Sequence, residues 1–249
     1  MGGAAASLAL GLAGCNTRQP QALAQAAAPP PPRPPEPAKP EPAPETARYQ
    51  ALYAAVPGER FPVNSIRPGT ILPDFWRSEV DYRTTEPAGT IIIDPKAHYL
   101  YFVLSGSKAM RYGVGVGREG FAWSGVATIN SKQEWPDWYP PKEMIDRQPD
   151  LKKQVTTLQS GIGVAGGPRN PLGARAMYLW QNNKDTLFRI HGTLEPGSIG
   201  RSVSSGCIRM ANQDVIDLYQ RVPIGTKVVV TGDAQPALPA ALAQILRRG

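Results

Sequence analysis

A chain of 249 residues has room for one sizeable domain or two small ones. Its formal net charge of +7 favours an anionic partner, for which a cell-wall polymer and a nucleic acid both qualify. The sequence has no dense cluster of lysine and arginine, which argues against the nucleic acid.

The first segment of the chain has the composition of an export signal. It is apolar and rich in small residues up to Cys15, and no charge precedes Arg18. Such a run is too short to span a bilayer, but it fits the core of a secretory signal. The letters "LAGC" that end at Cys15 resemble the lipobox of bacterial lipoproteins, in which the cysteine is acylated and becomes the mature N-terminus.

This resemblance predicts that residues 1–15 are a lipoprotein signal peptide and that Cys15 is the lipidation site. We therefore expect an exported protein on the periplasmic face of a membrane, held there by its lipid, with the outer membrane as the expected one. Export argues further against a nucleic-acid partner. An uncleaved alanine-rich leader is the alternative.

Residues 16–47 are predicted to be a linker rich in proline and alanine. Between Pro29 and Pro44, ten of the sixteen residues are proline, so this part cannot pack a core and favours polyproline II. At about 3.1 Å per residue the proline-rich part spans roughly 50 Å. Such a linker would hold a domain away from a membrane.

Residues 48–87 mix aromatic residues, prolines and turn residues without clear periodicity, and they are predicted to form an ordered extension that wraps onto the next domain. Strand signals follow. They are "TIIIDP", "HYLYFVL", "AMRYGVGVG", "GVATINSKQ", "YLWQ", "LFRIHG" and "TKVVVTG". Before the last of them, "NQDVIDLYQRV" has helical spacing, with Asn212 or Asp214 as the predicted N-cap.

Many short strands and one late helix predict a mostly-β sandwich or barrel with small helical additions. Residues 131–176 are too polar and too rich in proline and glycine for core strands, so they are predicted to be long functional loops. Residues 232–249 are predicted to be a C-terminal tail, in which 234–249 form a small helix.

The most reactive residue of the predicted domain is Cys207. If Cys15 is lipidated, Cys207 is the remaining cysteine and no internal disulfide can form. A working cysteine needs a base or a cation to lower its pKa from about 8.5. His98 lies in an alternating pattern and is expected at a surface or an edge, whereas His191 precedes a loop long enough to return to Cys207. From spacing alone, a nucleophile with its base and a buried cysteine with an unrelated histidine both remain open.

The segment "HGTLEPGSIGRSVSSGCIRMAN" resembles the signature of the L,D-transpeptidase catalytic domain of the YkuD type. The family pattern is a His-Gly, a loop, then Ser or Thr, often His, Gly-Cys, an aliphatic residue and Arg. The resemblance extends over residues 88–231, the predicted catalytic domain. It implies a β-sandwich with long loops and with the cysteine at the bottom of a narrow cleft.

Carried over by position, the resemblance implies that Cys207 is the nucleophile and His191 its base. The carbonyl of Gly192 would orient the imidazole. The backbone N–H groups of Ser205, Gly206 and Cys207 would form an oxyanion hole.

Two further residues are implied to bind substrate. They are Ser204 and Arg209, of which the arginine would hold a carboxylate with two hydrogen bonds. A structural salt bridge is the alternative role of Arg209. Ser205 departs from the family pattern, which commonly has histidine there.

The family acts on peptidoglycan, so the resemblance implies stem peptides as substrates. The cysteine would attack the carbonyl of the third stem residue, release D-alanine and pass the acyl group to an amine, without a metal or an organic cofactor. The amine would belong to another stem, giving a 3→3 cross-link, or to a lipoprotein or outer-membrane protein. An inactive wall-binding module and an L,D-carboxypeptidase or endopeptidase are the alternatives.

Overall fold

The computed structural model describes residues 44–117, 123–204 and 206–232. Within these ranges the helices are α1 (Pro44–Tyr53), α2 (Lys142–Arg147), α3 (Pro149–Lys152) and α4 (Asn212–Arg221). The strands are β1 (Ser78–Asp81), β2 (Ile91–Asp94), β3 (Tyr99–Val103), β4 (Lys108–Gly113), β5 (Val116–Gly117), β6 (Gly125–Glu134), β7 (Thr156–Leu158), β8 (Gly161–Gly163), β9 (Arg175–Gln181), β10 (Lys184–His191), β11 (Ser202–Ser204), β12 (Ile208–Arg209) and β13 (Lys227–Val230). The fold is mostly β, which confirms the predicted class.

Several predictions fall on residues outside the described ranges. They are the signal peptide with Cys15, the linker up to residue 43, Ser205 and the helix at 234–249. No described helix is long and apolar enough to cross a membrane.

One large mixed sheet dominates the described residues. Its strand order is β1-β4-β3-β2-β13-β6-β9-β10-β12. The pairs β2–β13 and β10–β12 are parallel, and the other neighbours are antiparallel. β5 and β11 form a small parallel pair, and β7 and β8 form a short hairpin. Two hydrogen bonds between Gly115 and Arg209 tie β12 to the start of β5.

The predicted strands form where the apolar runs lie. β2 carries three consecutive buried isoleucines, Ile91 to Ile93, because a central strand is covered on both faces. The prediction for 131–176 is wrong at both ends, since β6 continues to Glu134 and β9 begins at Arg175. These two polar residues are paired in register, so the ladder satisfies their backbone groups. Between them lie α2, α3 and the β7–β8 hairpin.

Helix α4 forms where the helical spacing predicts it, and it packs Val215 and Leu218 into the main core. The predicted N-cap is wrong. Ala211 occupies that position without a side-chain hydrogen bond, because both candidate side chains have tertiary partners. Asn212 accepts from the Ala174 N–H at 2.9 Å, and Asp214 accepts from the Tyr53 hydroxyl at 3.2 Å.

The segment before the large sheet packs onto α4. Helix α1 begins at Pro44, inside the range predicted as linker, because proline is tolerated in the first turn of a helix. Tyr49 and Tyr53 of α1 are buried against Trp76. Gln213 of α4 donates to the carbonyls of Ala54 and Asn64 at 3.0 and 2.9 Å.

A buried ion pair joins the same segment to β9. Arg175 donates to both oxygens of Glu59 at 2.6 and 2.8 Å, with side chains that are 6% and 13% exposed.

Glu59→Ala is expected to lower the free energy of unfolding by about 3 kcal/mol, because it leaves a buried guanidinium without its partner. Urea unfolding measures this. The exposed Glu79→Ala control should change stability by less than about 0.5 kcal/mol, and an equal loss in both variants would contradict the assignment.

Candidate active site

The parallel pair β10–β12 brings the motif residues together. Ile190 pairs with Ile208 and His191 pairs with Arg209. Both isoleucines are buried in the core, so the next pair along the strands lies on the opposite face of the sheet. Cys207 immediately precedes β12. The loop between the strands therefore returns the cysteine to the strand that carries His191.

His191 is buried, with 5% of its surface exposed. Its Nδ1–H donates to the Gly192 carbonyl at 2.6 Å, the contact that the resemblance implies. Burial lowers the pKa of His191 to about 4, although this hydrogen bond acts in the opposite direction. The ring is therefore neutral near pH 7, and its Nε2 is free of a proton and able to accept one.

Two asparagines that the sequence analysis did not assign to the active site hold the surroundings of His191. Asn212 bonds the Ala174 N–H and the Thr193 carbonyl, and it fills the space that a side chain on Gly192 would need. Asn170 is fully buried and fixes the preceding loop through carbonyls at 2.8 to 3.2 Å. Asn212 ends the motif segment, which was the available signal for it, whereas Asn170 lies far upstream in the chain.

Cys207 is half-buried, and its Sγ lies 3.8 Å from the carbonyl oxygen of Leu187. Burial raises the pKa of the Cys207 thiol, whereas the charges of Arg189 and Arg209 act to lower it. The pKa of the thiol is raised on balance, because desolvation outweighs the charges. No hydrogen bond within the described residues joins Cys207 to His191.

Ser204 closes the loop that carries the cysteine. Its hydroxyl donates to the Cys207 carbonyl at 2.6 Å and accepts from the Gly206 N–H at 3.2 Å. Gly206 has a φ of +122°, which side-chain-bearing residues rarely adopt. Substrate binding by Ser204 and the oxyanion hole stay predictions. In this structure the Ser204 hydroxyl and the Gly206 N–H are bonded to each other.

Arg209 forms a salt bridge with Glu195 at 2.9 Å. Glu195 is 73% exposed, so water competes for this pair and its net contribution to stability is small. The guanidinium is thus held near the site by an exposed partner that a substrate carboxylate can replace. Both roles considered from the sequence remain compatible with this contact.

The other histidine lies elsewhere. His98 occupies the turn between β2 and β3, half-buried, with Nε2 at 3.0 Å from the Ser202 hydroxyl.

Beside the cysteine loop, a narrow apolar slot includes Trp123 and Phe188, whose rings stack with centroids 5.7 Å apart. Gly206 and Ile208 line the same slot.

The low pKa of His191 predicts a pH dependence of stability. Between pH 6.5 and 4 the unfolded chain takes up a proton that the buried folded-state imidazole refuses. The stabilising contribution is therefore complete above pH 6.5 and is lost as the pH falls through 4, by on the order of 3 kcal/mol. Calorimetry at pH 7 and 4.5 should show a smaller acid-induced loss for His191→Gln than for the parent chain.

Asp214 acts in the opposite sense and must be separated from this effect. Burial raises the pKa of Asp214 to about 7, so its folded-state proton uptake stabilises the protein as the pH falls. The quantity to compare is therefore the difference in unfolding free energy between the parent chain and His191→Gln at each pH. An identical pH dependence in both proteins would contradict a buried neutral His191.

The comparisons with known proteins point to one family. The model of the L,D-transpeptidase catalytic domain, YkuD, matches residues 88–230. A Fuscovulum blasticum relative that carries the L,D-transpeptidase name is 38% identical over 107 residues, which are 43% of this chain and 49% of that protein. "Probable L,D-transpeptidase ErfK/SrfK" of Escherichia coli K12 is 31% identical over 147 residues, 56% of this chain and 43% of the relative. The chain thus spans about half the length of these relatives or less.

Solved structures are similar over a comparable part of the chain. A Brucella melitensis protein described as a probable carnitine operon oxidoreductase is 51% identical, with 65% of this chain and 97% of that chain covered and a TM-score of 0.42. An L,D-transpeptidase from Mycobacterium smegmatis is 18% identical, with 57% and 58% covered and the same TM-score of 0.42. At these TM-scores the superpositions carry no argument about function.

Proposed function

Because this chain belongs to the family of YkuD-type L,D-transpeptidase catalytic domains, we propose that it is a peptidoglycan L,D-transpeptidase that uses Cys207 as its nucleophile. One observation carries the proposal. The parallel β10–β12 pair sets Cys207 next to the strand that ends in a buried, neutral His191. A thiol beside a neutral imidazole is a pair that can carry out acyl transfer.

The acylation step begins from the neutral pair. The Cys207 thiol passes its proton to Nε2 of His191 as the sulfur bonds to the carbonyl carbon of the third stem residue. The bond from that carbon to the nitrogen of the terminal D-alanine then breaks, and the imidazolium returns the proton to the leaving amine. The Gly192 carbonyl keeps Nδ1–H in place and stabilises the charged ring.

The second step releases the enzyme. An acceptor amine loses its proton to His191 and attacks the thioester carbon, whereupon the carbon–sulfur bond breaks and the thiol regains a proton. The acceptor is an amine of another stem or of a wall-attached protein. Water in its place would give an L,D-carboxypeptidase instead.

The developing oxyanion needs donors that the resting loop keeps engaged. The Gly206 N–H bonds the Ser204 hydroxyl at 3.2 Å, a long bond that a negatively charged oxygen can displace. Arg209 would exchange its exposed partner Glu195 for a substrate carboxylate. The first exchange replaces a contact to a neutral hydroxyl by one to a developing negative charge, so it favours the transition state. The second exchanges one carboxylate for another and serves substrate binding.

Incubation of the purified protein with a disaccharide-tetrapeptide tests the proposal. Cross-linked dimer and free D-alanine are the expected products. Tripeptide without dimer would replace the transferase by a carboxypeptidase, and release of stem fragments would indicate an endopeptidase. Neither product, together with no covalent adduct of Cys207 with a carbapenem by mass spectrometry, would favour an inactive wall-binding module.

The attachment to a membrane is part of the same proposal. Lipidation of Cys15 would tether the domain to the periplasmic face of a membrane, with the proline-rich linker as spacer. Fractionation of cells that express Cys15→Ser tests this, because the variant should leave the membrane fraction. Retention in that fraction would favour the uncleaved leader.

A further inference from the structure

Two arginines, and not only the one in the motif, flank the candidate nucleophile. Ile190 of β10 is opposite Ile208 of β12, and one residue back along both segments the backbone of Arg189 is hydrogen-bonded to Cys207. Paired residues of neighbouring strands share a face of the sheet. Arg189 and Cys207 therefore lie on the face that also carries His191 and Arg209.

The side chain of Arg189 is held in one place. Both terminal nitrogens donate to the carboxylate of Asp185 at 2.7 Å each, and the guanidinium carbon lies 4.5 Å from the centre of the Tyr178 ring. The Arg189 side chain is only 15% exposed. Its charge is thus fixed in position and partly shielded from solvent, which strengthens its field.

The same ion pair spans an irregularity of β10. The pairing with β9 shifts register between Asp185 and Arg189, and Leu187 within this stretch has a φ of +63°. The Leu187 carbonyl is the group that the thiol contacts at 3.8 Å. The bulge therefore brings the Asp185–Arg189 pair and Cys207 to one place, as bulges near active sites commonly do.

We propose that Arg189 is a positioning residue that tunes the nucleophile, its fixed positive charge stabilising the Cys207 thiolate while Asp185 holds the guanidinium and partly cancels it. This inference rests on the proposed role of Cys207 as nucleophile. It assigns to Arg189 a task that differs from the carboxylate binding proposed for Arg209.

The charged and titratable groups around the thiol come from four segments. β10 supplies Asp185, Arg189 and His191, β12 supplies Arg209, and β9 supplies Tyr178, whose ring lies against the Arg189 guanidinium. The loop between β10 and β12 supplies Glu195, which is exposed and paired with Arg209. Burial raises the pKa of Cys207, a hydrogen bond from the Arg189 backbone and the charges of Arg189 and Arg209 act to lower it, and the charge of Asp185 acts to raise it. His191 is neutral near pH 7 and adds no charge. The charges of Asp185 and Arg189 can therefore be changed by substitution without altering the catalytic base.

The test is the rate at which iodoacetamide alkylates Cys207 between pH 6 and 10, in the full chain with Cys15→Ser so that one thiol remains. Iodoacetamide reacts with the thiolate, so its rate at pH 7 reports the thiolate fraction. Arg189→Gln should slow alkylation at pH 7 by about threefold, and Arg189→Lys should restore most of the rate. Asp185→Asn should raise the rate by about twofold, because it removes the opposing charge.

The opposite signs separate this proposal from a structural role. If the pair only holds the bulge in shape, Arg189→Gln and Asp185→Asn break the same contact and should change the rate in the same direction. That result would overturn the proposal, as would an unchanged rate for Asp185→Asn. Arg221→Gln is the matched control, because it breaks an Arg–Asp pair of the same spacing on α4 and should leave alkylation unchanged.

Alkylation does not require transpeptidase activity, so the two proposals fail separately. Opposite shifts in a protein that forms no dimer would retain the role of Arg189 and reject the proposed function. Dimer formation together with alkylation rates that change in the same direction in both variants would retain the proposed function and reject the role of Arg189. Should Arg189→Gln not fold, the pH profile of Asp185→Asn decides, because the electrostatic role shifts the pH midpoint of alkylation, whereas a loosened bulge scales the rate equally at every pH.

Discussion

Cys207→Ala is expected to abolish dimer formation from disaccharide-tetrapeptide, with a loss of roughly 10⁴-fold or more, because no other group can form the acyl-enzyme. Cys207→Ser should be nearly as inactive, since a serine hydroxyl is far less acidic than a thiol. The folded state should lose little. The thiol's contact with the Leu187 carbonyl is long, at 3.8 Å, so stability should change by less than about 1 kcal/mol.

Chromatographic detection of dimer and D-alanine measures the first effect, and thermal unfolding measures the second. Intact-mass analysis with a carbapenem should show an adduct on the parent protein and none on Cys207→Ala. Dimer formation by Cys207→Ala at a rate near that of the parent would reject Cys207 as the nucleophile. A large loss of thermal stability would instead give the cysteine a structural role.

Replacing His191 by alanine is expected to lower the acylation rate at pH 7 by about 10²- to 10⁴-fold, the usual contribution of a general base. The parent histidine is neutral down to about pH 4, whereas the variant depends on spontaneous ionisation of a thiol whose pKa burial raises. The loss should therefore shrink as the pH rises towards the pKa of that thiol. Rates of carbapenem acylation across pH 5 to 10 measure the profile.

The second histidine provides the matched control. His98→Ala removes a contact with Ser202 but no group near Cys207, so its pH–rate profile should follow that of the parent. Because His191 is buried, rates must be compared per folded molecule, and His191→Gln preserves more of its volume. A profile for His191→Ala parallel to that of the parent would point to another base.

Local pattern was sufficient for most elements of the fold. Three consecutive isoleucines predict the buried strand β2, and the spacing of Val215, Ile216 and Leu218 predicts α4. These signals depend on which face of one segment is apolar. A sequence displays that property directly.

Local pattern was insufficient where a side chain could either cap a helix or bond to a distant segment. Asn212 and Asp214 have the chemistry of N-caps, but one supports the backbone beside Gly192 and the other binds Tyr53 of α1. Asp214 and Tyr53 are 161 residues apart in the chain. No periodicity within a window of the sequence reveals such a partner.

By itself the sequence determined which residues are candidates: one cysteine in the predicted domain, a histidine before a returning loop, and a motif that resembles a known family. Only the tertiary structure decided their state. Burial makes His191 neutral and raises the pKa of the Cys207 thiol, and the pairing of β10 with β12 returns the segment that carries Cys207 to the strand that carries His191. Desolvation and register depend on atoms contributed by distant segments, so these properties exist only once the sheet has closed around the site.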